Sequence, residues 1–313
     1  MLSIIGALRA SMVATDEVPI RVLMLDLLVE RAAFGHGGNQ EVILPFTKNG
    51  PVEIFLVTPQ MQSFDSGLKT NSNSIIQLTQ EDVPHWDHEY EFWESIEVDY
   101  SDLKVKFNRI VMPMYDDDEK MNKWLEDLNL DAVVCSGSRR NVSMWEDWMT
   151  PAASLLRVAS RKGTPTLGIC FGHQLLCHAL GAKIERSDSF SSGIWKLNLT
   201  SNGESDSLLT SHSIKDGEIY AVYSHQDHVM TVPECCILLS STDHNLVTAV
   251  RVKDKSGNLL PAWGVQFHPE AVKARMKRAY DDGHITEEEF NSLKGEHDGP
   301  AILASFANIV VNK

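Results

Sequence analysis

A chain of 313 residues with 43% hydrophobic composition holds enough apolar material for a sizeable buried core. Its net charge of −15, from 28 basic and 43 acidic residues, disfavours nucleic acid or an anionic membrane as the main partner. No stretch approaches the ~20 apolar residues of a membrane span, and five cysteines without CxxC spacing argue against a disulfide framework and for a reducing, cytoplasmic setting.

Residues 1–19 read as a flexible leader. "MLSIIGALRASMVA" is apolar, but it lacks the basic residue that precedes the core of a secretory signal. "IRVLMLDLL" (20–28) then has the near-continuous branched apolar pattern of a buried parallel strand, and "VEIFLVTP" (52–59) predicts a second. Between about 60 and 100 the text turns polar with scattered aromatics and no period, as expected of an insertion. "FNRIVMPMY" predicts a further strand and "DDDEKMNKWLEDLNL" (116–130) a helix with acidic residues in its first turn.

Strand "DAVVCSGS" (131–138) ends in a small-residue turn. Helix 148–163 follows, with Thr150 expected as its cap, Pro151 at its first position and Gly163 at its end. Strand "TPTLGIC" runs into helix "GHQLLCHALG", and this alternation predicts a parallel α/β sheet. The second half offers strands "GEIYAVYSHQDHV", "CCILLSST", "LVTAVRV" and "PAWGVQF", with "KDKSGN" as the turn between the last two, and then three helices. Residues 20–313 therefore read as one domain with an insertion at about 60–100.

"GICFG" (168–172) has the form of the G-x-S-x-G nucleophile elbow with sulfur in place of oxygen. Glycines on both sides allow a turn that a side chain would block. Cys170 then stands at the amino end of a helix, where the helix dipole favours a negative charge, and the amide of Phe171 can face an oxyanion. By itself the pentapeptide fits a buried cysteine equally well. A thiolate needs a base and the base an orienting group. "WGVQFHPE" (263–270) ends a long strand with His268 and Glu270, and the proline between them keeps the backbone extended, so both point to one side.

Together "GICFGHQ" and "GVQFHPE" resemble the class I (triad) glutamine amidotransferases, and the likeness runs in outline from about residue 20 to the carboxyl end, leaving out 60–100. The resemblance implies a flavodoxin-like α/β fold: a mostly parallel central sheet flanked by helices, with a nucleophile elbow. It also implies that Cys170 attacks the side-chain amide of glutamine, that His268 carries the proton to ammonia, and that Glu270 holds His268. The amides of Phe171 and of Gly137 in "CSGS" would carry the oxyanion, and Gln174 would help hold the substrate's amino-acid end. "YSHQDHVMTVP" (223–233) resembles the Ser-His-x-Asp-x-Val segment of GMP-synthetase glutaminase domains and related stand-alone proteins, which implies that Asp227 meets the substrate's ammonium group and that His225 shapes the pocket. The turn departs from the family in reading "SGSRR", where many relatives have a proline soon after the glycine.

Neither a metal nor a cofactor is expected. His225-x-x-His228, with His212 and His244 nearby, lacks a cysteine or carboxylate at zinc spacing, and "YDDDE" (115–119) reads as an acidic helix start. Cys135 and Cys177 read as small core residues. No G-x-x-x-x-G-K or serine-glycine-glycine phosphate loop accompanies the glutaminase motifs. Three readings follow: a glutaminase that hands its ammonia to a separate synthetase partner chain, or a stand-alone hydrolase of γ-glutamyl peptides with the same triad, or a binding module that has lost the chemistry.

Overall fold

In the computed structural model, which describes residues 18–28, 32–60, 104–210 and 217–313, the apolar run at Ile20 becomes β1 (Ile20–Leu25). Its side chains alternate between two cores: Leu23 and Leu25 face one, Val22 and Met24 the other. Strands buried on both faces are what a central parallel sheet requires. β2 (Val52–Val57), β3 (Val105–Arg109), β4 (Ala132–Cys135) and β5 (Thr166–Ile169) complete the first half of the sheet. The expected leader, apart from residues 18–19, and the 60–100 insertion, apart from residue 60, lie outside the described residues.

Helix α1 (Ala32–Thr47) follows β1, and α2 (Asp118–Leu128), α3 (Met149–Arg161) and α4 (Phe171–Ala179) follow β3, β4 and β5. The acidic start of α2 has structural employment. Asp117 caps the helix by accepting from the amides of Glu119 and Lys120, while Asp118 is held below the usual carboxylate range by its hydrogen bond to Arg157. Two expectations change. The helix after β4 begins at Met149 rather than beyond Thr150, and Thr150 accepts a hydrogen bond from Trp145 Nε1 instead of capping it. Pro151 still falls in the first turn, where no amide is needed. Helix α1 was hidden in the sequence by Gly35, Gly37, Gly38 and Pro45.

The second half supplies β6 (Ile184–Lys196), β7 (Asn198–Leu199), β8 (Tyr220–Val229), β9 (Cys236–Ser241), β10 (Ala249–Lys253), β11 (Leu259–Val265), α5 (Lys273–Asp281), α6 (Glu287–Leu293) and α7 (Gly299–Val311). The main sheet has the order β3-β2-β1-β4-β5-β11-β10-β9-β7. It is parallel from β3 through β11, and β10, β9 and β7 add antiparallel pairs beyond. β6 and β8 form a separate antiparallel ribbon, of which β6 was not foreseen. The core on one face joins α2, α3 and α4 to the sheet, and the other joins α1 and α7.

Strand order reverses between β1 and β4: from β1 the chain winds outward to β2 and β3, and from β4 it winds the other way to β5 and β11. Loops leaving the carboxyl ends of the two central strands diverge there and open a crevice, which is where ligands bind in such sheets. Cys170 follows β5 and His268 follows β11, so both candidate reacting groups are delivered to that edge. Among the described residues no helix is long and apolar enough to cross a membrane.

Candidate active site

Gly168, Cys170 and Gly172 make the turn from β5 into α4. A Cβ on Gly172 would stand 2.3 Å from the carbonyl oxygen of Cys135 on the neighbouring strand, and one on Gly168 would stand 2.5 Å from the carbonyl oxygen of Gly172. Neither approach is tolerable, so both positions must be glycine. Between them Cys170 takes φ 50° and ψ −100°, a conformation that costs a non-glycine residue about 1–3 kcal/mol. Packing holds it: the Cys170 amide donates to Val265 O at 2.8 Å and its carbonyl receives the Gln174 amide at 3.0 Å.

The adjacent strand β11 ends at Val265, and the chain bends at Gln266 and Phe267. Residues 268–271 form a turn in which the Ala271 amide donates to His268 O at 3.2 Å, so the backbone expected to stay extended across Pro269 turns instead. His268 Nδ1 lies 2.8 Å from Glu270 Oε1. The Cys170 side chain also acts electrostatically on the ring. Burial opposes a charge on His268, yet the negative charges available on Cys170 and Glu270 outweigh it and hold the imidazole well above its ordinary range. A Cβ on Gly137 would stand 3.1 Å from His268 Cε1, so the turn after β4 packs directly on the ring. The amides of Gly137 and Phe171 donate to no protein group among the described residues.

Cys170, His268, Glu270, Gly137, Phe171, Gln174, His225 and Asp227 all border one cavity of about 390 Å³. Their partners differ from simple expectation in places. Gln174 Nε2 donates to Asp227 O at 2.9 Å and to Gln266 Oε1 at 3.1 Å, so its amide nitrogen is committed within the protein. His225 Nδ1 lies 3.0 Å from Asp227 O, and its buried Nε2 has no partner among the described residues. Burial, reinforced by His228, pushes His225 down to about 3, so the ring is neutral and carries its proton on Nδ1. The Asp227 carboxylate accepts from Ser143 N at 2.7 Å and Ser143 Oγ at 2.8 Å.

Three contributors escaped the sequence reading. Gln266, whose Nε2 lies 3.6 Å from Cys170 Sγ, stood in the quoted "GVQFHPE" just past the end of β11. Ser143 carries no signal in sequence. Gly38 of α1 packs under the triad: a Cβ there would stand 3.2 Å from Glu270 Cγ. The remaining thiols belong to the core, and burial pushes those of Cys135 and Cys177 up, away from the thiolate. Among the described residues no group of His, Cys, Asp and Glu is arranged to hold a metal ion; the His225 and His228 rings lie tilted at 59° with centres 4.8 Å apart, and His212 lies outside the described residues.

A strained cysteine at a strand-to-helix turn thus shares one cavity with a histidine that follows the neighbouring strand and is hydrogen-bonded to a glutamate. The chain belongs to the class I glutamine amidotransferases, whose family model, "Glutamine amidotransferase class-I", matches residues 87–284. It is similar to a subunit of the glutamine-hydrolyzing GMP synthase of Methanococcus maripaludis, with 32% identity over 122 residues, 39% of this chain and 59% of that protein. It is also similar to the GMP synthase of Thermus thermophilus, with 32% identity over 176 residues, 50% of this chain and 31% of that protein. The chain thus spans less than two thirds of the length of these curated relatives. Two solved structures share the fold: a glutamine amidotransferase from Thermotoga maritima (TM-score 0.57, 18% identity, 95% of this chain and 100% of that one) and the glutaminase domain of Trypanosoma brucei CTPS with bound acivicin (TM-score 0.52, 13% identity, 94% of each).

Proposed function

We propose that the protein hydrolyses the γ-carboxamide of glutamine through a Cys170–His268–Glu270 triad. The Cys170 thiolate attacks the amide carbon, and the oxyanion that forms is received by the amides of Phe171 and Gly137. The His268 imidazolium gives its Nε2 proton to the departing nitrogen, so ammonia leaves and a glutamyl thioester remains. His268 then takes a proton from water, the hydroxide attacks the thioester carbon, and glutamate leaves as the Cys170 thiolate is restored. Glu270, bonded to Nδ1, fixes the tautomer that makes Nε2 the proton carrier. The observation that carries the reading is His268 bonded to Glu270 at 2.8 Å and sharing one cavity with the strained Cys170, beside two unengaged amides.

Ammonia released here needs an acceptor, and similarity to one chain of a GMP synthase built from subunits supports a separate synthetase chain as the partner. The cysteine pattern supports a cytoplasmic setting. A second reading, hydrolysis of γ-glutamyl peptides, is favoured by the cavity itself. At about 390 Å³ it falls in the range of pockets for ligands larger than the ten heavy atoms of glutamine, and Arg139 and Arg186 stand at its border, where a carboxylate on the departing group would meet them. Purified protein is expected to release glutamate and ammonia from glutamine in equal amounts. Parallel assays with a γ-glutamyl dipeptide decide the substrate: a higher kcat/KM for the dipeptide selects the second reading, and no turnover of either, with or without a synthetase partner, rejects both.

A further inference from the structure

The loop of residues 136–148 borders the crevice with Ser136 to Asn141 and is anchored in the core by Val142 and Trp148. Its first residues are tied to the neighbouring chain: Ser136 Oγ accepts from Leu27 N at 3.0 Å, and Ser138 Oγ accepts from Gln60 Nε2 at 3.3 Å. Farther along, Ser143 is exposed, yet both its amide and its hydroxyl donate to the carboxylate of Asp227, which is only 1% exposed. Two hydrogen bonds of 2.7 and 2.8 Å to a buried carboxylate are charge-assisted and among the stronger contacts a loop can have. They occupy the oxygens that would otherwise be presented to a substrate.

The backbone of Asp227 is engaged as fully as its side chain. Its carbonyl receives Gln174 Nε2 at 2.9 Å and His225 Nδ1 at 3.0 Å. Gln174 passes the connection to Gln266, and Gln266 to the Cys170 sulfur. One residue of β8 therefore joins the loop bearing the Gly137 amide, the helix of the elbow and the end of β11.

We infer that Asp227 is a positioning residue that clamps the 136–148 loop through Ser143 and so sets the Gly137 amide over Cys170, rather than a counter-ion for the substrate's ammonium group. The inference rests on the proposed glutaminase chemistry for its kinetic consequences and on the Ser143 contacts alone for its structural ones. A misplacement of about 1 Å at an oxyanion donor is worth up to about 10²-fold in rate, and it falls on kcat because the oxyanion exists only beyond the ground state.

Asparagine separates the two roles. Its Oδ1 can accept from the Ser143 amide and its Nδ2 can donate to the Ser143 hydroxyl, so Asp227→Asn keeps the clamp while removing the charge. The test compares Asp227→Asn, Asp227→Ala and Ser143→Ala in glutamine turnover and in limited trypsin cleavage after Arg139 and Arg140. Asp227→Ala is expected to lower kcat by about 10²-fold with KM changed less than about threefold, Ser143→Ala to lower kcat by about tenfold, and Asp227→Asn to stay within about fivefold of the parent. Trypsin cleavage should rise by about tenfold in Asp227→Ala and remain near the parent rate in Asp227→Asn. If Asp227→Asn is as damaging as Asp227→Ala and the loss lies in KM, the carboxylate binds the ammonium group and the inference falls. Unchanged cleavage in both Asp227→Ala and Ser143→Ala overturns the clamp. If the parent turns over no glutamine, the functional proposal fails while the cleavage rates still decide the clamp.

Discussion

Cys170→Ala is expected to lower kcat for glutamine by about 10⁴-fold or more, leaving an ordered protein that still binds substrate. The size of the effect follows from the route: without sulfur no thioester forms, and the oxyanion amides and His268 act on no attached intermediate. The substitution isolates chemistry because the thiol makes only long contacts, 3.6 Å to Gln266 Nε2 and 3.9 Å to Ser224 O. Cys170→Gly adds a second, opposite readout. It should be equally inert yet melt no lower than the parent, because glycine adopts φ 50° and ψ −100° without the strain of about 1–3 kcal/mol that cysteine bears. A parent-level rate in either variant, measured as glutamate released, would remove Cys170 from the mechanism.

Glu270→Gln is expected to cost about 10²–10⁴-fold in kcat, and to change the pH profile in a defined direction. Burial alone would lower the His268 pKa. The charges on Cys170 and Glu270 reverse that and raise it well above its ordinary value, so in the parent the imidazolium needed to protonate the leaving nitrogen persists to pH values well above 6.5. Removing the Glu270 charge lowers the His268 pKa, and the alkaline limb of kcat/KM moves to lower pH. Glutamine also offers an N–H where the carboxylate oxygen accepted, which disfavours the productive tautomer. The kinetic loss and the acidward limb are two consequences of one contact at 2.8 Å. An alkaline limb that stays in place while kcat falls would assign Glu270 a role in packing alone, against Gly38, where an added Cβ would crowd the Glu270 Cγ at 3.2 Å.

Features with a strict backbone or burial requirement were legible in the sequence. The runs that became β1, β4, β5 and β11 are apolar on both faces because helices cover both sides of the sheet. The glycines of "GICFG" announced a close approach, and the structure gives its partner, the Cys135 carbonyl. His268 and Glu270 were legible as polar residues closing a long apolar strand, although the backbone between them turns rather than running extended. Other features were not, for physical reasons. Helix α1 forms on three glycines and a proline because its buried face, Val42, Ile43 and Phe46, packs on the sheet and α7; tertiary burial overrides weak propensity there. β6 crosses "RSDSFSSG", a polar stretch stabilised by its pairing with β8 rather than by alternation. Ser143 and Asp227 lie 84 residues apart, and nothing local to either tells that they meet.

The most direct test of the central claim, a single glutamine-reactive thiol at the elbow, is covalent trapping with a glutamine-like chloroketone followed by peptide mass spectrometry. Five free thiols compete for the reagent: besides Cys170, Cys135, Cys177 and Cys236 are buried in the core, and Cys235 is half-buried. The account predicts one adduct per chain, located on Cys170, blocked by excess glutamine and missing from Cys170→Ala. A glutamine-protected adduct on any other cysteine, or no adduct on a protein that releases glutamate from glutamine, would contradict it.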